Sequence, residues 1–136
     1  MITSADQWDT ARWYNFSATE FVCSHCNALS ISPIVLDFLQ SYRTQTGKSV
    51  VITSAYRCPS LNDAVSSTGK DGPHTTGFAV DISTNSQTQY ELLRFALHYN
   101  PRPLGIGIAK TFTHLDWCDA DVNEKYVVRP NVWRYA

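Results

Sequence analysis

The sequence predicts an α+β domain, a small antiparallel sheet with flanking helices, and three observations carry that prediction. Residues 31–46 and 87–99 place apolar side chains at helical spacing. Short runs rich in β-branched and aromatic residues, among them Phe78-Ala79-Val80-Asp81-Ile82 and Thr111-Phe112-Thr113-His114-Leu115-Asp116-Trp117, have the length and pattern of strands. A helix crosses between these runs, and the chain holds no repeat, low-complexity tract or linker.

The elements can be justified in order. Residues 1–15 form an N-terminal arm docked by Trp8, Trp13 and Tyr14. In the first helix Ile31, Ile34, Val35, Phe38, Leu39 and Tyr42 mark one face, Ser32-Pro33 supply the cap and first position, and Gly47 supplies the stop. Ser49-Val50-Val51-Ile52-Thr53-Ser54 reads as a buried strand that delivers Arg57 to its end. In the second helix Ser86 and Gln89 suit a capping box, with Tyr90, Leu93 and Leu97 turned inward. Gly105-Ile106-Gly107-Ile108 is a short strand whose glycines let neighbouring backbone come close. In the alternating run 111–117, His114 and Asp116 share one face and Leu115 and Trp117 the other. Residues 122–136 form an irregular C-terminal tail in which Tyr126, Trp133 and Tyr135 are expected to pack.

At 136 residues the chain is expected to form one domain, and a monomer. A net charge of -1 and a pI near 6.4 give no electrostatic case for nucleic acid or an anionic membrane. Met1-Ile2-Thr3-Ser4-Ala5-Asp6 lacks the basic and apolar segments of a secretory signal, and no stretch approaches a membrane span.

The chemistry concentrates between His74 and His114. His74 lies in a turn after Gly72-Pro73, Gly77 allows a bend, and Asp81 and His114 fall in strand-like runs. Two imidazoles and one carboxylate are what a catalytic zinc ion takes from a protein, leaving a fourth position for water. Manganese or iron can occupy similar sets. Hydrolysis is the reaction class this pattern suggests.

Ser54-Ala55-Tyr56-Arg57-Cys58-Pro59 with Asn62, then His74-x-x-Gly77-x-Ala79-x-Asp81, then Phe112-Thr113-His114-Leu115-Asp116, together resemble the zinc peptidases of the D-alanyl-D-alanine carboxypeptidase type. This family, M15, includes phage endolysins that cut the L-alanyl-D-glutamate bond, and it shares a fold with the hedgehog signalling domain. The resemblance implies a Zn2+ cofactor on His74, Asp81 and His114, peptidoglycan stem peptides as substrate, and Arg57 facing the substrate. Tyr56 is a weaker candidate for lining the cleft, and Trp117 weaker still, as a core aromatic. Such an enzyme, made in the cytoplasm without a signal, would reach the cell wall through phage lysis or in a virion. Two positions depart from the pattern: Gly72 stands where many members have Ser, and Thr111 where many have the acid that serves as base. Asp116 is then either the catalytic base or the partner that orients His114. Thr111 also supports an alternative, a non-catalytic hedgehog-like binding or phage structural module that keeps the metal for stability.

Cys23-Ser24-His25-Cys26 has the spacing of a metal clip, which Cys58 and Cys118 would have to complete in space. A structural metal, a disulfide and free thiols all remain open, and four cysteines permit three pairings. A C-x-x-C redox role is weak, because the clip does not sit where a strand runs into a helix. His98 suits the last turn of a helix, and His25 is a loop residue or a ligand of a second site.

Overall fold

The computed structural model describes residues 1–136. Five strands, β1 (Ile52–Ser54), β2 (Ala79–Ser83), β3 (Gly105–Ile108), β4 (Phe112–Asp116) and β5 (Asn131–Arg134), form one sheet in the order β1-β2-β4-β3-β5. Three helices, α1 (Pro33–Thr46), α2 (Pro59–Val65) and α3 (Ser86–His98), complete the α+β architecture, which is consistent with a hedgehog-like peptidase fold. The first four strands pair antiparallel, but β5 runs parallel to β3, so the sheet is mixed. That edge strand comes from the tail expected to be irregular. No helix is long and apolar enough to cross a membrane.

Alternation along β2 and β4 divides the sheet into two faces. Val80, Ile82, Leu115 and Trp117 join the core with Val35, Leu36, Phe38, Leu39 and Tyr42 of α1 and Leu92 and Ala96 of α3. Trp117 packs on Phe38 and donates its indole N–H to the Pro101 carbonyl, so it is a core residue. The opposite face carries a cross-strand row. Ser54 pairs with Asp81, Asp81 with His114, His114 with Gly107 and Gly107 with Trp133.

Local chemistry sets the helix ends. Ser32 accepts from the Ile34 N–H, Pro33 takes the first position, and α1 stops at Gly47 with φ 67°. At α3 the cap is Asn85, which accepts from Gln87 and Thr88, and not Ser86. Gln89, released from capping, reaches β4 and donates to Phe112 O and Thr113 Oγ1. The inner face of the helix carries Leu92 and Ala96, with Leu93 packed against the core, while Tyr90 and Leu97 are exposed. The segment expected as a buried strand is a half-buried edge, with Val51 exposed. Pro59 at its first position helps start the short helix α2, an element additional to the two expected helices.

The arm is tied down by reciprocal backbone hydrogen bonds between Ile2 and Ile31 and by buried Trp13, whose indole donates to Asp37. Tyr14, by contrast, is exposed.

Candidate metal centre

A cleft of about 910 Å³ opens over the polar face of the sheet, and Arg57, His74, Asp81, His114, Trp133 and Tyr135 are among the residues lining it. His74 arrives on a short 3-10 turn, Pro73–Thr75, while Asp81 and His114 stand opposite one another on β2 and β4. Gly72, before that turn, packs so closely on Thr68 and Asn62 that a Cβ there would overlap both. The Ser common at this position in the resembling family has no room in this chain.

His74 Nε2 lies 3.2 Å and His114 Nδ1 2.9 Å from the same oxygen, Asp81 Oδ1. All three residues are buried. Their outer contacts decide where the protons are. Ala55 O, 2.6 Å from His74 Nδ1, can only accept, so Nδ1 carries the proton. Burial lowers the His74 pKa against the pull of Asp81 and keeps the ring neutral. Nε2 therefore turns a lone pair toward a carboxylate oxygen. That contact is repulsive unless a cation sits between the two.

His114 is held differently. Its Nε2 donates to Asp116 Oδ2 at 2.7 Å. Burial would lower its pKa, but Asp116 and Asp81 outweigh burial and raise it. Asp81 likewise stays well below the ordinary carboxylate range, because His114 and His74 overcome the opposing effect of burial. A divalent cation would replace the proton on His114 Nδ1 and meet three converging donors, all within 4.8 Å of one another. The residues therefore fit a zinc-type ion with three protein ligands.

Arg57 is the fourth expected residue at the site. Its Nε donates to Ser54 Oγ at 3.0 Å, its Nη1 to Asn62 Oδ1 at 3.2 Å, and its Nη2 lies 3.4 Å from Asp81 Oδ2. The guanidinium is thus braced on three sides at the cleft wall.

Asp116 does not face the cleft. It is fully buried, with its oxygens engaged by His114, by the Cys118 N–H and by both Nε and Nη2 of Arg129 at 3.2 and 3.3 Å. Such a carboxylate orients His114 and is closed to a reacting water. Thr111 is exposed in the turn before β4. Tyr56 does not line the cleft; its pKa is raised by burial and by the nearby Cys26, Cys58 and Cys23, which places it beside the cysteines.

Arg129, Trp133 and Tyr135 were missed as site residues by the sequence reading. Arg129 grips Asp116 and also lies over the rings of Tyr126 and Trp133, 5.1 and 5.2 Å from their centroids. Trp133 in turn stacks at a tilt on His114, 5.2 Å between centroids. The tail therefore forms a wall of the cleft. The alternation in Asn131-Val132-Trp133-Arg134 was the available signal. The glycines of β3 serve this arrangement too: a Cβ on Gly105 would occupy the place of the Asp116 carboxylate. Side chains, more than backbone, make the close approach that the glycines permit.

No curated protein and no solved structure matches the chain. A family model described as Peptidase M15 matches residues 14–116, more than half of the sequence. The lone-pair geometry at His74, Asp81 and His114 falls within that matched stretch, and the chain belongs to the M15 peptidases, a generally zinc-dependent family.

Proposed function

We propose that the protein is a zinc-dependent peptidase that hydrolyses bonds in peptidoglycan stem peptides, as a carboxypeptidase or an endopeptidase. The observation that carries this reading is the convergence of His74 Nε2, Asp81 Oδ1 and His114 Nδ1 on the cleft floor, beside a braced Arg57. When bound by these three residues, zinc supplies a Lewis acid for the peptide carbonyl and lowers the pKa of water to about 7.

The rest of the work falls to the chain. Arg57 takes a substrate carboxylate or carbonyl oxygen, its own position held by Ser54, Asn62 and Asp81. Asp116 keeps the His114 proton on Nε2 and so reserves Nδ1 for the metal. Tyr135 stays protonated, because burial raises its pKa, and is a hydrogen-bond donor at the cleft wall. Arg57, Lys125, Arg129 and Arg134 give the cleft a basic lining. This suits stem peptides, which carry free carboxylates.

A second reading, a non-catalytic metal-stabilised module, draws on one observation. Asp71 is the remaining acidic side chain that lines the cleft, and it pairs with Lys125 at 3.5 Å on the surface. Mass spectrometry of fragments released from purified sacculi separates the two readings. Zinc-dependent release, absent from His74→Ala, is the expected result, and the new termini name the bond. No release from several wall chemistries by zinc-loaded protein would sink the peptidase reading and leave the module.

A further inference from the structure

Cys23, Cys26 and Cys58 come together, the last of them next to Arg57 in the chain. Their sulfurs all lie within 4.8 Å of one another. A tetrahedral zinc with thiolate bonds of about 2.3 Å separates its sulfurs by roughly 3.8 Å, so only a slight contraction is needed. We propose that these three cysteines form a second metal site, one that takes a soft divalent cation such as zinc and staples the N-terminal segment to the loop carrying Arg57.

The local backbone has the shape of a metal knuckle. Cys23 O accepts from Asn27 N–H and Cys23 N–H donates to Ala28 O, both at 2.8 Å, and Asn27 closes the turn in the left-handed region at φ 60°. This turn brings Cys23 and Cys26 to one side. Cys58 approaches from a segment far away in sequence, and its N–H donates to Cys23 Sγ at 3.3 Å. Cys23 is fully buried, and burial disfavours its thiolate. The N–H groups of Cys58, Cys26 and His25 outweigh burial and bring the thiol down to about 7. Backbone donors aimed at a buried sulfur favour the thiolate, the form in which cysteine binds a metal.

The fourth cysteine stands apart. Cys118 is buried beside Thr76, and its sulfur is not among those that lie within 4.8 Å of one another. Cys58 completes the clip, then, and Cys118 does not. All four thiols are free in the structure, and a disulfide within the cluster would strand its third member. Cys26 is exposed, which leaves the fourth coordination position to water or to the adjacent, exposed His25. The site is also tied to the cleft: Tyr56 N–H donates to Phe21 O, and Arg57 N–H donates to His74 O.

The test is metal content per chain on the purified full-length protein, with Cys26→Ser as the principal variant because its side chain is exposed. Two zinc equivalents are expected in the wild type, one in Cys26→Ser, one in His74→Ala and none in the double variant. Replacement by cobalt should give the near-ultraviolet sulfur-to-metal absorption in the wild type and in His74→Ala, with loss of that band in Cys58→Ser. Unchanged zinc in Cys26→Ser, or an intact mass showing two hydrogens lost to a disulfide with no cobalt–sulfur band, overturns the proposal. Loss of zinc confined to the cysteine variants would instead support this site and count against the His74 centre, so the two readings fail separately.

Discussion

His74 and His114 face the same Asp81 oxygen, yet what stands behind each ring differs. A neutral backbone carbonyl, Ala55 O, holds His74, whereas a charged pair, Asp116 with Arg129, holds His114. The consequences run in opposite directions: the His74 pKa falls and the His114 pKa rises. One ring is ready to bind a cation as it stands, and the other must first give up a proton. A backbone partner cannot be lost by substitution, so the tunable half of the centre is the His114 half.

The most damaging change removes the oxygen both rings share. Asp81→Ala should abolish zinc binding at this centre and bring peptidase activity below detection, as read by metal analysis and sacculus digestion. Asp116→Asn should sharpen the contrast by leaving the His74 half untouched. Zinc affinity is expected to fall about 10–100-fold, the usual effect of losing an outer partner of a ligating histidine. An unchanged affinity, measured by chelator competition, would show that Asp116 does not set the ligand. Gly105→Ala acts on the same carboxylate more weakly, by crowding it, and should cost about 1–3 kcal/mol in denaturant unfolding together with a smaller loss of zinc affinity.

The smallest effect is a pH dependence in the metal-free protein. The folded-state pKa of His114 is raised above its ordinary 6.5, so its contribution to stability is full below that value and fades as pH rises through the folded pKa. His74 is shifted down and works oppositely, losing stability as pH falls through its lowered pKa. Thermal unfolding in chelator should therefore show the wild type losing stability above pH 6.5 relative to Asp116→Asn. Parallel curves would remove the assigned charge on His114.

The part of the centre that could be read from sequence is the part set by short spacing. His74 and Asp81 are seven residues apart across one bend, and His114 and Asp116 share a strand face, so spacing together with the family resemblance nominated them. Arg129 could not be found this way, because its contact with Asp116 depends on β5 returning to lie parallel beside β3. Asp116 shows the same limit in another form. Period-2 geometry placed it on the correct face, but only the packing of His114, Arg129 and Gly105 around it decides that it is sealed from the cleft. For the helices, α1 was legible because Ser32, Pro33 and Gly47 agree with its apolar face. The face of α3 was legible only at Leu93, because apolar residues at 92, 93 and 96 fit helical spacing as well as those at 90, 93 and 97, and packing on α1 and the sheet selects the former.

Strand β5 occupies the sheet edge and is hydrogen-bonded along one side only. Edge segments of this kind fray at free energies well below global unfolding. Residues 131–134 should therefore exchange their amide hydrogens sooner than β2 or β4, and each opening event would swing Trp133 off His114 and loosen Arg129. The width of the cleft mouth would then follow the breathing of a four-residue ribbon, while Asp81 and His114 beneath it stay in register on the interior strands.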